Sequence, residues 1–234
     1  MKVAVLNVAT GGYVELAENL HKSLNENFMT DHDVDIFLFT DSDKDFGENV
    51  KKYQIERKGF PGDTLYRYHY FLLAEDALKG YDFLFYLDVD LNVEKPIGDE
   101  IVSDVVACEH PGFYRRSNGT FERRTISTAY VPPQMYHPYY CGGVQGGRPE
   151  FYLEAARLMK ERIDVDDKNG VMAVWHDESH WNRQLKQFPP TLVLDPRYCY
   201  PTDAHFPWIE EFSDNRIITT VAKDEEEIRK VDDK

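Results

Sequence analysis

Residues 81–93, YDFLFYLDVDLNV, set an unbroken apolar run directly before two carboxylates, and few folds accommodate both. Phe83, Leu84, Phe85, Tyr86 and Leu87 show no polar alternation, so they predict a short strand covered on both faces, as in the parallel sheets of α/β proteins. Asp88 and Asp90 then fall at its carboxyl end, the edge at which open α/β sheets bind ligands. Two hard oxygen ligands one residue apart suit a divalent cation, which would offset the charge of a diphosphate. An acidic turn closing a buried strand reads the same way.

The flanking sequence repeats this alternation of strand and helix. Val3 to Val8 forms an apolar strand, Thr10-Gly11-Gly12 turns the chain, and Tyr13, Leu16, Ala17, Leu20 and Leu24 recur along one helical face. Ile36 to Phe39 is a second strand, which makes the start a βαβ unit with a right-handed crossover. Leu65, Tyr68 and Leu72 mark a helix that leads into the central strand. Arg67 lies on its other side, either facing the acidic pair or exposed at the surface. Further on come a strand at 104–108, a long aromatic and arginine-rich loop at 110–124, and a glycine-dense stretch from Tyr139 to Gly147 suited to close packing. Phe151, Ala155 and Leu158, with Tyr152, Ala156, Met159 and Ile163 beside them, predict a broad buried helical stripe.

A second stretch with chemical potential is Trp175-His176-Asp177-Glu178-Ser179-His180. Trp181, Leu185 and Phe188 predict a helix from about Glu178, with Asp177 as its N-cap. Acidic residues there are stabilised by the helix dipole without any catalytic role. His176 and His180 have the i, i+4 spacing of a metal pair, but lack the glutamate placement of zinc peptidases.

Composition narrows the partners. A formal charge of −15 opposes non-specific binding to nucleic acid or to an anionic membrane, although Arg115, Arg116, Arg123 and Arg124 form a local basic cluster. Cys108, Cys141 and Cys199 have neither metal-site spacing nor the even count of a disulfide framework, which fits a reducing, cytoplasmic setting. No signal peptide and no apolar run of transmembrane length stands in the sequence.

These motifs, in this order, resemble glycosyltransferase family six, the retaining α-1,3-galactosyl- and N-acetylgalactosaminyltransferases that include the blood-group A and B enzymes. The matching stretches are DVD at 88–90, HPGFY at 110–114, ERR at 122–124, YYxGG at 139–143 and NGxxAVWHDESHxN at 169–182. The resemblance implies one α/β domain over residues 1–234, of GT-A type, with a mixed, mainly parallel central sheet flanked by helices. It implies a UDP-sugar donor, a glycan acceptor of galactoside type that includes fucosylated galactosides, and Mn²⁺ or another divalent cation held by Asp88 and Asp90.

Carried over position by position, the resemblance puts Val8, Ala9, Thr10 and Tyr13 at the uridine, with Tyr13 stacked on the base. Arg67 and Val89 stand near the donor. Cys141, Gly142 and Gly143 lie beside the transferred sugar, where Gly143 favours UDP-GalNAc over UDP-Gal. His110, Thr120, Trp175 and Asp177 match sugar-contacting positions, with His110, Thr120, Trp175 and Glu178 on the acceptor side and Asp177 on the donor. Glu178 is the carboxylate beside the anomeric carbon, either a nucleophile or a stabiliser of an oxocarbenium-like transition state. RIITTVAK at 216–223 resembles the family's closing segment, so residues from about 210 form a mobile tail that places Lys223 and Arg229 on the diphosphate.

Two positions depart from, or vary within, the pattern. An acceptor-site aspartate common in the family aligns with Pro201, and the nearest carboxylate is Asp203. Some prokaryotic relatives replace both metal aspartates with asparagine, whereas this chain keeps them. The vertebrate anchor and stem have no counterpart here, which suggests a short prokaryotic or viral-type member. A metal-dependent hydrolase built on Asp88, Asp90, His176 and His180, and a non-catalytic glycan-binding module, are the rival readings.

Overall fold

The computed structural model describes residues 1–116, 118–133 and 138–230. Strand β1 (Lys2–Ala9) leads through a 3-10 turn into helix α1 (Val14–Asn27), then into β2 (Asp33–Thr40) and β3 (Val50–Gln54). Three short helices follow, α2 (Gly62–Leu65), α3 (Arg67–Leu73) and α4 (Glu75–Leu78), and deliver the chain to β4 (Phe83–Leu87). Next come β5 (Leu91–Val93), β6 (Val105–Glu109), β7 (Tyr140–Gly147), α5 (Pro149–Lys168) and α6 (His176–Gln187). The described chain ends with β8 (Leu192–Leu194), β9 (Ile218–Thr220) and α7 (Glu225–Lys230).

Seven strands make one sheet in the order β3-β2-β1-β4-β7-β6-β8, and β5 pairs with β9 in a small second ribbon. β3, β2, β1 and β4 are mutually parallel; β7 runs antiparallel to both β4 and β6, and β8 is parallel to β6. The protein is therefore α/β with the mixed, mainly parallel sheet that its sequence predicts.

The two-residue period of a strand explains why the central sheet needs cover on both sides. Val3 and Val5 of β1 join Phe83, Phe85 and Leu87 of β4 in a core packed against Ala17, Leu20 and Leu24 of α1. Ala4 and Leu6 join Leu84 and Tyr86 in a second core, packed against Tyr68 and Phe71 of α3, Met159 of α5 and Trp181 of α6. All five residues of β4 are buried. Each such apolar side chain stabilises the fold by about 1.5–3 kcal/mol relative to exposure, so the position of β4, and with it the aspartates that follow, is fixed by packing.

One expectation holds and another is corrected. The glycine-dense stretch is itself a strand, β7, and its glycines serve contact with neighbouring strands: a Cβ on Gly146 would lie 2.4 Å from Phe85 Cδ1. The α5 stripe is narrower than expected, because Tyr152, Ala155, Ala156, Met159 and Ile163 are buried while Phe151 is 47% exposed.

The long connection between β6 and β7 is pinned from two sides. Glu122, 1% exposed, accepts hydrogen bonds from Arg124 and from the Val174 N–H, while Ser127 and the Thr128 N–H both donate to Asp166 of α5. Its arginines are engaged locally: Arg115 pairs with Glu211, Arg116 lies over the Trp208 ring, Arg123 donates to the Val131 carbonyl and Arg124 pairs with Glu122.

Candidate active site

The carboxyl ends of β1 and β4, helices α2 and α3, and the C-terminal segment enclose a cavity of about 220 Å³. Val8, Thr10 and Tyr13 line its β1 side, and Tyr86, Asp88, Val89 and Asp90 its β4 side. Arg67 closes one wall, and Lys223 and Arg229 reach in from the tail. Nine of the residues assigned to the donor from sequence thus share one cavity. Ala9 is wholly buried and does not line it.

Phe60, Asp63, Thr64 and Tyr86 line the cavity without having been expected there. Asp63 organises that wall by accepting from the Thr10 and Tyr70 hydroxyls and from the Lys58 and Gly59 N–H groups. The Pro-Gly-Asp that opens α2 looks like an ordinary helix start, and only the bond from Thr10, 53 residues earlier, ties it to the cavity.

Arg67 is the electrostatic hub. It is 4% exposed, not a surface arginine, and burying a guanidinium demands paired anions. Nη1 lies 3.3 Å from Asp88 Oδ1 and Nε lies 3.3 Å from Asp177 Oδ2. Nη1 also donates to the Gly142 carbonyl, and the guanidinium stacks 4.4 Å from the Tyr86 ring centroid. Although burial works against its charge, Asp177, Tyr86 and Asp88 hold the group firmly cationic.

Around the acidic pair, the Tyr86 hydroxyl donates to Asp88 Oδ1 and the Lys223 ammonium contacts Asp90 Oδ2. Lys223 also stands 5.2 Å from the centre of the Tyr13 ring. Burial, then the neighbouring charge of Asp88, pushes the Asp90 carboxyl above the usual aspartate range. This like-charge repulsion is what a cation relieves. Among the described residues no third His, Cys, Asp or Glu converges with the pair. The protein thus offers two oxygens, the donor set typical of ions that share a site with phosphates. The residues present fit such an ion.

Gly143 explains how Asp88 sits so close to β7: a Cβ there would lie 2.5 Å from Asp88 Oδ2. The space freed by this glycine is taken by the aspartate. One residue earlier, the Gly142 N–H donates to Glu178 Oε2 at 2.8 Å, and the Tyr139 hydroxyl donates to Oε1 at 2.6 Å. Burial raises the Glu178 carboxyl to about 7 against these two donors, and burial likewise raises Asp177 to about 7 against Arg67.

Helix α6 starts at His176, and Trp175 is its N-cap with no side-chain capping bond, so Asp177 is not the cap. Asp177 is 2% exposed in the first turn; its Oδ2 faces Arg67 and receives no hydrogen bond among the described residues. The His176–His180 metal pair does not form. His176 has φ +46°, outside ordinary helix geometry, and packs on Phe60, whereas buried His180 faces Asp166 at 3.8 Å.

The residues expected on the acceptor side form a looser group. His110 and Phe113 pack on the Tyr139 ring, and Thr120 is hydrogen-bonded to Tyr139, which links both His110 and Thr120 to Glu178 through one side chain. Trp175, three residues before Glu178, is 48% exposed. Cys141 is buried in the core with Cys108 and Cys199, and lines no part of the cavity.

At the tail, Ile228 packs against Gly12, and the Arg229 guanidinium lies 3.7 Å from the centre of the Phe60 ring. No helix among the described residues is long and apolar enough to cross a membrane.

The sequence model of glycosyltransferase family 6 matches residues 69–230. A chicken (Gallus gallus) globoside alpha-1,3-N-acetylgalactosaminyltransferase 1 is 30% identical over 218 residues, which cover 86% of this chain and 62% of the relative. The rat (Rattus norvegicus) histo-blood group ABO system transferase 1 is 40% identical over 121 residues, 51% of this chain and 35% of that protein. The O-antigen biosynthesis glycosyltransferase WbnI of Escherichia coli is 26% identical over 233 residues, 97% of this chain and 96% of its own length. The chain spans about three fifths of the length of the globoside transferases it matches.

Proposed function

The chain belongs to glycosyltransferase family 6, and on that premise we propose that it is a retaining α-1,3-glycosyltransferase that moves GalNAc, or Gal, from a UDP-sugar to a galactoside-type glycan. One observation carries the proposal: a doubly hydrogen-bonded carboxylate, Glu178, stands next to Asp177 and Gly142, which Arg67 ties to the acidic pair of the cation-rich cavity. That is the arrangement a glycosyl transfer needs, with negative charge at the developing oxocarbenium and positive charge at the departing diphosphate.

In this reading Thr10 and Tyr13 receive the uridine, and Arg67, Lys223 and Arg229 face the diphosphate. Asp88 and Asp90 hold the divalent cation, which when bound supplies charge to stabilise the leaving diphosphate. Asp177 Oδ2 accepts a hydrogen bond from a donor-sugar hydroxyl, a partner that its buried position favours. The bond from the anomeric carbon to the diphosphate oxygen breaks with its electron pair leaving on UDP. Glu178 then either bonds to the anomeric carbon and is displaced by the acceptor hydroxyl, or stays ionic while that hydroxyl attacks from the same face as the leaving group; in both routes the hydroxyl proton passes to the released diphosphate. Closure of the tail over the donor excludes water from the competing hydrolysis.

UDP-GalNAc is the donor that the family resemblance at position 143 favours, although in this structure Asp88 Oδ2 fills the room that the glycine frees. The relatives in chicken and human are described as globoside α-1,3-N-acetylgalactosaminyltransferases, which supports the same choice. Incubation of the protein with UDP-GalNAc or UDP-Gal, Mn²⁺ and a panel of galactosides tests the proposal. Acceptor-dependent transfer with retained anomeric configuration is the expected result; donor hydrolysis that ignores acceptor, or no turnover, contradicts it.

A further inference from the structure

Strand β7 carries one polar side chain in its buried interior, Gln145, which is 0% exposed between Val144 and Gly146. A primary amide in a hydrophobic core costs several kcal/mol unless every polar atom finds a partner, so its surroundings show what it is for. Its Nε2 donates to the Gly142 carbonyl at 2.8 Å and lies 3.1 Å from the Tyr68 hydroxyl. Its Oε1 accepts from Tyr152 at 3.2 Å and lies 3.3 Å from the Tyr68 hydroxyl. The orientation of the amide is settled by this network, since the Gly142 carbonyl can only accept.

The two tyrosines come from α3 and α5, so Gln145 is held by helices on one face of the sheet. What it holds is a glycine whose own backbone would otherwise choose among many conformations. Gly142 points its N–H at Glu178 Oε2 at 2.8 Å, and its carbonyl is fixed by Gln145 and, at 3.2 Å, by Arg67.

We infer that Gln145 is a positioning residue for glycosyl transfer: by pinning the Gly142 carbonyl against α3 and α5 it aims the Gly142 N–H at Glu178 and sets the charge state and direction of that carboxylate. The inference rests on the reading of Glu178 as the carboxylate beside the anomeric carbon. Glu178 is already held near the neutral range by burial, and the Gly142 hydrogen bond is one of the two contacts that keep it ionisable. Loss of that contact drives the group further toward its neutral form, in which it can stabilise no positive charge.

Gln145→Met keeps the length and volume of the side chain and removes both the amide donor and the amide acceptor; Tyr152→Phe removes one anchor of the amide and leaves the ring packing intact. The Glu178 carboxyl is followed by carbon NMR titration of glutamate-labelled protein without substrate, assigned by its disappearance in Glu178→Gln. Transfer kinetics and melting temperature are measured on the same samples. The expected result for Gln145→Met is a titration midpoint raised by about one pH unit, the scale of a weakened hydrogen bond to a charged group. Its kcat should fall about tenfold at pH 7, with donor KM within about twofold, since the lost interaction acts on the reacting carboxylate and not on the nucleotide. Tyr152→Phe should move the midpoint in the same direction by less.

A lowered melting temperature with the midpoint and kcat unchanged overturns the inference and makes Gln145 a packing residue. A raised midpoint with unchanged kcat upholds the positioning but contradicts the catalytic role given to Glu178, so the two failures are distinguishable. If Gln145→Met does not fold, an unmoved midpoint in Tyr152→Phe overturns the inference.

Discussion

The Tyr139 hydroxyl donates to Glu178 Oε1 at 2.6 Å across 39 residues of chain, which makes a tyrosine at the mouth of β7 a partner of the carboxylate in the first turn of α6. Tyr139 is itself 0% exposed, and its ring is packed by His110, Phe113 and Phe121, so the hydroxyl has little freedom to leave Glu178. Tyr139→Phe keeps this packing and deletes one donor to a charged group. The expected outcome is an acid limb of the kcat profile displaced upward by about one pH unit and a turnover roughly tenfold lower at pH 7. A profile identical to wild type would mean that the bond does not influence the reacting carboxylate.

Stability should fall as pH rises through the neutral range. Asp177 and Glu178 both have folded-state values near 7, above the 3.8 and 4.5 of the unfolded chain. Between the unfolded and folded values the native state binds more protons, so the stabilisation present below about pH 4 is lost progressively up to about pH 7. The loss is on the order of 3–4 kcal/mol for one such carboxylate. Glu178→Gln, which cannot ionise, should therefore raise the melting temperature at pH 8 relative to wild type and change it little at pH 4. Equal pH dependence in mutant and wild type would show that Glu178 ionises freely in the folded protein.

Much of the cavity between β1 and β4 was legible because the information is local. The apolar run of β4 fixes where Asp88 and Asp90 emerge, and the β1 turn fixes Thr10 and Tyr13, so short stretches of sequence are enough to locate them. The parts that escaped are long-range. β7 hides behind four glycines that weaken any strand signal, and its place is set by close contact with β4, not by propensity. Tyr139 meets Glu178 39 residues on, Gln145 meets Tyr68 77 residues back, and Asp63 meets Thr10 53 residues back, contacts that no short stretch of sequence reveals. Asp177 looked like a helix cap because acidic residues at a helix start commonly are; Arg67, 110 residues earlier in the chain, turns it into half of a buried ion pair.

Metal dependence is the expected consequence of the proposed cation site at Asp88 and Asp90, whose mutual repulsion a cation would relieve. UDP affinity measured by calorimetry should drop at least tenfold in EDTA relative to Mn²⁺, and an Asp88→Asn, Asp90→Asn double variant should bind UDP equally weakly with and without the ion. Affinity and transfer that survive chelation would assign the charge compensation to Arg67, Lys223 and Arg229.

The tail offers a separate test. Lys223 contacts Asp90, and Arg229 lies over Phe60, so the C-terminal helix covers one side of the cavity. Amide exchange across 221–230 should slow on addition of UDP with Mn²⁺, and Lys223→Ala should raise donor KM about tenfold while lowering kcat less. Exchange that is the same with and without UDP and Mn²⁺ would leave the tail outside the catalytic cycle.

Glu178 is where the proposed chemistry is tested most directly. Transfer of GalNAc from UDP-GalNAc to a galactoside, measured for wild type and Glu178→Gln with UDP binding checked on both, asks whether this carboxylate carries the chemistry. The predicted result is a loss of about 100-fold or more in kcat with UDP affinity preserved, the scale of removing a key electrostatic stabiliser. A Glu178→Gln protein that binds UDP normally and transfers sugar within about threefold of wild type would contradict it.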